Sequence, residues 1–344
     1  MTQVPGLDGA TPWLAVNLPG ARPPFHFQAV PGGSSNPTFF VTDAEGAEWV
    51  LRRPPPAGVL PSAHDMGREF RVLAALHAVG FPVPAPIGLA EVSDGLGAPF
   101  YVMVRVDGIV LRTEAEIEQL LDAAGRRRAA DDLVSTMAAL HELDPEAIGL
   151  GDLGRREGYL ARQLRRWSTQ AEASAASSGV PQPALGALHD RLLEALPERG
   201  PTGIVHGDFR IGNVVVAADG KLLAVLDWEL CTLGATLADT AHTLVSWLEY
   251  PRPLPEGLPT AREMADTYLA RTGQDGVDFD YYIAFAAWRL GCILAGVHAR
   301  YTAGAGASDA VDPAAHLGRI ERLAGLGRQA LEGSAFDAGV EFAR

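Results

Sequence analysis

Apolar and polar residues alternate in three short runs near the start of the chain, FHFQAV at 25–30, TFFVTD at 38–43 and EWVLRR at 48–53. The Gly-rich PGGSSNP and the turn AEGA join them. Period-two alternation bounded by Gly, Pro and Asn predicts an antiparallel β-meander. The period then changes. In MGREFRVLAALHAVG, Phe70, Leu73, Ala74 and Leu76 recur at helical spacing, and Gly80 is placed to end the helix. GAPFYVMVRVDG predicts a hairpin strand that runs into a connection at 105–108. Beyond it helical periodicity dominates, over 114–143, 153–177, 183–196, 237–248, 260–272, 280–301 and 313–331. Two apolar runs, 213–217 and 222–226, interrupt it, and AADGK between them signals a tight hairpin. Before residue 25, Pro5, Pro12, Pro19, Pro23 and Pro24 with several Gly predict an irregular arm. The organisation expected is an arm at 1–24, a small β-rich lobe at 25–107 and a helical lobe at 108–344, an α+β chain.

Composition narrows the partners. With 28 basic against 42 acidic residues the net charge is −14, which argues against a polyanion-binding surface and so against nucleic acid. At 344 residues and 47% hydrophobic, the chain can bury a large core. Cys231 and Cys292 are too few for a disulfide scaffold and lack zinc-site spacing, which fits a reducing cytoplasm. The most apolar helix, 280–301, carries Arg289 at its middle, so a buried helix is expected and no membrane span.

Candidate chemistry concentrates in IVHGDFRIGNVVVAADGKLLAVLDWE. His206, Asp208 and Asn213 fall on an expected loop, and Asp227 ends an apolar strand. An attacking hydroxyl needs a carboxylate within hydrogen-bond reach. Mg²⁺ takes hard oxygen ligands and only one or two carboxylates beside phosphate oxygens, and Asn213 and Asp227 offer oxygens of that kind. A strand-end turn residue would serve equally as a reading of Asp227 alone. Together the four suggest phosphoryl transfer.

A small β-lobe with a Gly loop, a hinge and a helical lobe carrying H-x-D-x-x-x-x-N then D is the layout of a protein kinase-like bilobal fold. The chain resembles the aminoglycoside phosphotransferase and choline kinase-like family of small-molecule kinases in VHGDFRIGNVVV, VLDWE, GGSSN and LADTAH, over about 25–300. That resemblance implies ATP and Mg²⁺ as cofactors, Asp208 as general base, Asn213 and Asp227 as metal ligands, and His206 as a loop-ordering residue. Arg210 would neutralise charge on the moving γ-phosphoryl group, or pair with an acid at the surface. Gly32 and Gly33 would let backbone approach phosphates, with the amides of Ser34, Ser35 and Asn36 as donors. The family's basic residue on the third strand is an arginine here. Strand alternation lets only one of Arg52 and Arg53 face the cleft; we take Arg52, paired with Glu69 on the following helix. Met103, Arg105 and Val106 fall in the adenine-side hinge.

GGSSNPTFF, WVLRRPPP and REFRVL also resemble the kinase-like domain joined to some acyl-CoA dehydrogenases. The function implied is ATP-dependent phosphorylation of a hydroxyl on a small molecule, a hydroxyacyl compound or other metabolite. The alternatives are an aminoglycoside or amino-alcohol kinase, or a silent nucleotide-binding protein. On the helix at 280–301, Arg289, Ile293, Gly296 and Arg300 share one stripe, which would meet an anionic acceptor or pair with acids such as Asp239 or Glu249. Glu229 would face the acceptor or a basic neighbour. His141 and Trp288 read as core.

Overall fold

The structure, a computed structural model, describes residues 6–30, 36–55, 65–198, 200–274, 277–303 and 313–336. The first lobe is built on five antiparallel strands: β1 (His26–Ala29), β2 (Thr38–Thr42), β3 (Glu48–Arg52), β4 (Pro86–Ala90) and β5 (Phe100–Val104), in the order β1-β2-β3-β5-β4. Helix α2 (Met66–Ala78) packs on one face, its start capped by the Asp65 side chain accepting from the Arg68 amide. The register places Arg52 opposite Tyr101 and Val50 opposite Met103. These four residues therefore share the face turned to α2 and the cleft.

The opposite face carries Phe27, Phe39, Val41, Trp49, Leu51, Phe100 and Val102, all buried in a cluster with Leu7, Ala10, Leu14 and Leu18. The expected irregular arm is thus a structured cover. Asp8–Ala10 form a 3-10 turn and Thr11–Asn17 the helix α1, with Pro12 in its first turn, where a missing N–H costs nothing. Trp13 meets Phe100 edge to face, ring centroids 5.3 Å apart. β4 was not expected from the sequence; three nearby prolines obscure its alternation, which an edge strand tolerates.

The second lobe is helical: α3 (Glu114–Leu120), α4 (Ala123–Glu142), α5 (Tyr159–Ser178), α6 (Pro183–Glu194), α7 (Thr236–Leu248), α8 (Ala261–Thr272), α9 (Asp280–Thr302) and α10 (Pro313–Ala330). The single helix expected over 114–143 is two. Leu121 is extended, and Asp122 starts α4 by accepting from the Gly125 amide at 2.7 Å. Four short strands sit where the lobes meet: β6 (Thr202–Val205) pairs with β9 (Thr232–Ala235), and β7 (Val214–Val216) with β8 (Leu222–Val225). α9 is long and apolar enough to cross a membrane, but 83% of its apolar window is buried inside the fold, so it is a core helix. At the hinge exit, a Cβ on Gly108 would stand 2.5 Å from Val215 Cγ1, so only glycine lets the chain pass this close to β7. Arg68 of α2 donates to the carbonyls of Leu153 (2.6 Å) and Cys231 (2.9 Å), tying the lobes together.

Candidate active site

β6 delivers the chain to His206, which is fully buried. Gly207 follows at φ +89°, with a notional Cβ only 2.8 Å from Leu230 Cβ, so the bend requires glycine. Asp239, one turn into α7, accepts from the amides of His206 (2.7 Å) and Gly207 (2.9 Å). Burial would raise the Asp239 carboxyl, but His141 beside it and these amides hold it down at about 2. The His206 ring takes the Asp208 amide on Nδ1 at 3.2 Å, so its Nε2–H donates to the Leu226 carbonyl at 2.8 Å. Its place is supporting, between the two segments that carry the carboxylates.

Asp208 sits on the turn so formed. Asn213 Nδ2 donates to its carbonyl (2.9 Å) and its Oδ2 (2.7 Å), Arg210 Nε approaches Oδ2 at 3.3 Å, and His242 Nε2 lies 2.8 Å from Oδ1. Burial pushes this carboxyl up. The His242 hydrogen bond, then the Arg210 guanidinium, oppose that and hold it well below the usual carboxylate range. The result is a half-buried, ionised carboxylate with a fixed orientation. Arg210 is partnered with the acid two residues before it, at the cleft surface.

Asp227 follows β8 with φ 66° and ψ 66°, the only positive-φ residue other than glycine among the described residues. Asp tolerates that conformation at a modest cost, and such strain gathers at functional sites. Arg52 Nη2 reaches Asp227 Oδ1 at 2.6 Å and Glu229 Oε2 at 3.2 Å, while its Nε lies 3.2 Å from Glu69 Oε1. Tyr101 O–H donates to the same Glu69 oxygen at 2.9 Å. One guanidinium therefore faces three carboxylates. Burial, with Asp227 and Glu229 nearby, pushes Glu69 up to about 7 against the pull of Arg52. The structure places Arg52 in the cleft. Arg53 points away, its amide bonded to the Pro37 carbonyl and its Nε to that of Pro54. Of the two expectations for Glu229, the structure shows the basic neighbour: Arg52 engages it at 3.2 Å, and Asn36 Nδ2 donates to it at 3.0 Å. The remaining loop residues, Gly32, Gly33, Ser34 and Ser35, lie outside the described residues.

The donor set fits a hard divalent cation. Asn213 commits its N–H₂ to Asp208, which leaves its carbonyl oxygen to act as a ligand, and Asp227 retains its second carboxylate oxygen. The Leu226 amide donates to the backbone carbonyl of Asn213 at 2.8 Å, leaving side-chain Oδ1 free to act as the ligand and holding the two segments side by side. Among the described residues no group of three His, Cys, Asp or Glu side chains is placed to hold a metal, which suits an ion that takes most of its ligands from phosphate and water.

Arg52, Asp208, Arg210, Asn213, Asp227, Glu229 and His242 open on one cavity of about 1080 Å³ between the lobes. Met103, Arg105 and Val106 line its hinge side, where Arg105 is held by Glu48 (2.7 Å) and stacks over Phe40 (4.4 Å). On the far side α9 presents Arg289, Ile293 and Arg300, the face expected from the sequence, and α10 adds Arg319 and Arg322. Neither acid considered as a partner is taken by the α9 arginines. Arg319 holds Glu249 with two 2.7 Å bonds, and Asp239 is occupied at the turn. Arg289, 4% exposed, donates to the Gly207 carbonyl next to Asp208. Sequence reasoning named Asp239 only as a possible arginine partner and passed over His242, although LADTAH sets them three apart on one helix face.

The profile of the phosphotransferase enzyme family, APH, matches residues 26–279. Acyl-CoA dehydrogenase family member 11 of Rattus norvegicus is 37% identical over 292 residues, covering 80% of this chain and 37% of that protein. The chain thus spans little more than a third of that relative. A solved structure from Ralstonia eutropha JMP134, named as a candidate aminoglycoside phosphotransferase, superposes with TM-score 0.79 at 30% identity, covering 94% of this chain and 98% of that one. An amicoumacin kinase, solved with AMP-PNP, Ca²⁺ and Ami, shares the fold at TM-score 0.56 and 16% identity, covering 95% of this chain and 94% of its own.

Proposed function

The chain belongs to the phosphotransferase enzyme family, and on that premise we propose that it transfers the γ-phosphoryl group of Mg-ATP to a hydroxyl on an anionic small molecule. A hydroxylated acyl thioester of coenzyme A is the acceptor class we favour. One observation carries this reading: the Asp208 carboxylate shares a cavity with the Arg52–Asp227 cluster on one side and with Arg289 and Arg300 of α9 on the other. In a chain of net charge −14 that concentration of arginine is what a phosphate or carboxylate group would need. A polycationic aminoglycoside would meet it unfavourably. The relative named as an acyl-CoA dehydrogenase points the same way.

In this reading the acceptor hydroxyl gives its proton to a free lone pair of Asp208, and its oxygen attacks the γ-phosphorus as the bond to the β-phosphate oxygen breaks. Arg52 holds nucleotide phosphate, Arg210 neutralises charge on the transferred group, and the hinge backbone at Met103–Val106 accommodates the base. Asn213 and Asp227 would hold Mg²⁺, which supplies charge neutralisation on the phosphates when bound. Two free, buried cysteines agree with a cytoplasmic setting.

A second reading, a nucleotide-binding protein without turnover, draws on Arg52 seated on Asp227 at 2.6 Å. Screening hydroxylated acyl-CoAs, amino alcohols and aminoglycosides for stimulated ADP release separates these. Stimulation by hydroxyacyl-CoAs supports the reading favoured, stimulation by cationic antibiotics alone overturns the anionic acceptor, and nucleotide binding with no Mg²⁺-dependent ADP release in any condition supports the silent protein.

A further inference from the structure

Four consecutive residues of the turn are held by one helix. Asp239 of α7 takes the amides of His206 and Gly207, Thr243 O–H donates to the Phe209 carbonyl at 2.5 Å, and between them His242 meets the Asp208 carboxylate at 2.8 Å. The other three contacts grip backbone; the His242 contact alone reaches the side chain to which the reading above gives the proton.

We propose that His242 is a positioning residue that directs the one open lone pair of Asp208 toward the acceptor hydroxyl. The inference rests on Asp208 as general base. Of the two carboxylate oxygens, Oδ2 already accepts from Asn213 Nδ2 (2.7 Å) and Arg210 Nε (3.3 Å), which accounts for both of its lone pairs. Oδ1 accepts from His242 Nε2 and has one lone pair left. The direction of that lone pair is set by where His242 stands, because rotation of the carboxylate would break the Asn213 and His242 bonds together.

The imidazole is built for a fixed donor. A nitrogen 2.8 Å from a carboxylate oxygen must carry the proton, so Nε2 is N–H. Nδ1 is buried without a hydrogen-bond partner. A neutral ring leaves only a bare lone pair there, whereas a doubly protonated ring would strand a buried donor. His242 is 5% exposed on a helix whose every residue except Ser246 is buried, so the ring has little room to turn.

The test compares His242→Gln, His242→Asn and Asp208→Asn. The Gln amide nitrogen reaches about as far as Nε2; the Asn amide nitrogen stops near the position of Nδ1 and leaves Oδ1 unheld. Turnover is read as ADP release from Mg-ATP with the best acceptor of the screen, or with water where none stimulates, and ATP affinity is measured separately by calorimetry. With a general base worth about 10²- to 10⁴-fold, losing its aim should lower kcat by roughly 10- to 100-fold in His242→Asn. His242→Gln should stay within about threefold of the parent, and ATP affinity should hold in both. His242→Asn turning over like the parent overturns the proposal, and so does His242→Gln falling as far as His242→Asn. Both outcomes leave the reading of Asp208 intact provided Asp208→Asn is inactive. An active Asp208→Asn refutes that reading and this inference with it.

Discussion

Replacing Arg52 by Met tests whether one guanidinium holds the cleft's acidic cluster together. Arg52 is 8% exposed and Glu69 3%, and the pair shares its charge with Asp227 and Glu229. Removing the arginine takes the formal charge of the four side chains from −2 to −3 and leaves Glu69 buried beside two other carboxylates. Breaking a buried pair this way costs about 3–5 kcal/mol. For a chain of this size that corresponds to a fall in melting temperature of roughly 4–7 °C. The loss should depend on pH in a definite sense. Glu69 titrates at about 7 in the fold against an ordinary value of 4.5, so the unfolded chain ionises first and stability falls as pH rises between the two. Without Arg52 the folded value rises further, so stability keeps falling beyond pH 7. Scanning calorimetry of parent and variant should therefore show a wider gap at pH 8 than at pH 6. Adding Glu69→Gln to the variant should recover part of the loss at pH 8. A melting temperature within 2 °C of the parent at both pH values, the tolerance being on the order of 1 kcal/mol, would refute the cluster as described.

Asp239 is the opposite electrostatic case: its folded value lies at about 2, below the ordinary 3.8, so its stabilisation is complete above 3.8 and is lost as pH falls through 2. Asp239→Asn should cost about 2–3 kcal/mol at pH 7 and flatten the acid-unfolding curve between pH 4 and 2, measured by circular dichroism. Arg300→Ala should raise KM for a hydroxyacyl-CoA acceptor by roughly 10-fold or more, as expected for loss of a hydrogen bond to a charged group, while leaving ATP affinity unchanged. An equal rise in the ATP dissociation constant would place Arg300 on the nucleotide side instead.

Much of this was legible in the sequence because the motif residues are spaced by local backbone geometry. Asp208 and Asn213 share one turn, and Asn213 closes it by bonding back to Asp208. Strand alternation allowed only one of Arg52 and Arg53 to face the cleft, and the eleven-residue stripe on α9 reached the cavity. What stayed hidden depends on contacts distant in sequence. Whether Glu229 faces the acceptor or a basic neighbour is decided only when β3 and Asn36 are brought against it. Arg289 could find acids in several directions, yet its guanidinium spends a donor on the Gly207 carbonyl, a backbone atom no composition marks. The helix α1 was masked by its flanking prolines, although Leu14 and Leu18 cover the sheet. The break between α3 and α4 turns on Asp122, an N-cap set within an unbroken helical pattern.

The central claim, that Asp208 accepts the acceptor's proton during phosphoryl transfer, is tested most directly by following label from γ-labelled ATP into a hydroxyacyl-CoA with the parent and with Asp208→Asn. The account predicts Mg²⁺-dependent label in the acceptor with the parent, and a rate lower by at least about 10²-fold in the variant at unchanged ATP affinity. Label transfer at the parent rate by Asp208→Asn would contradict it.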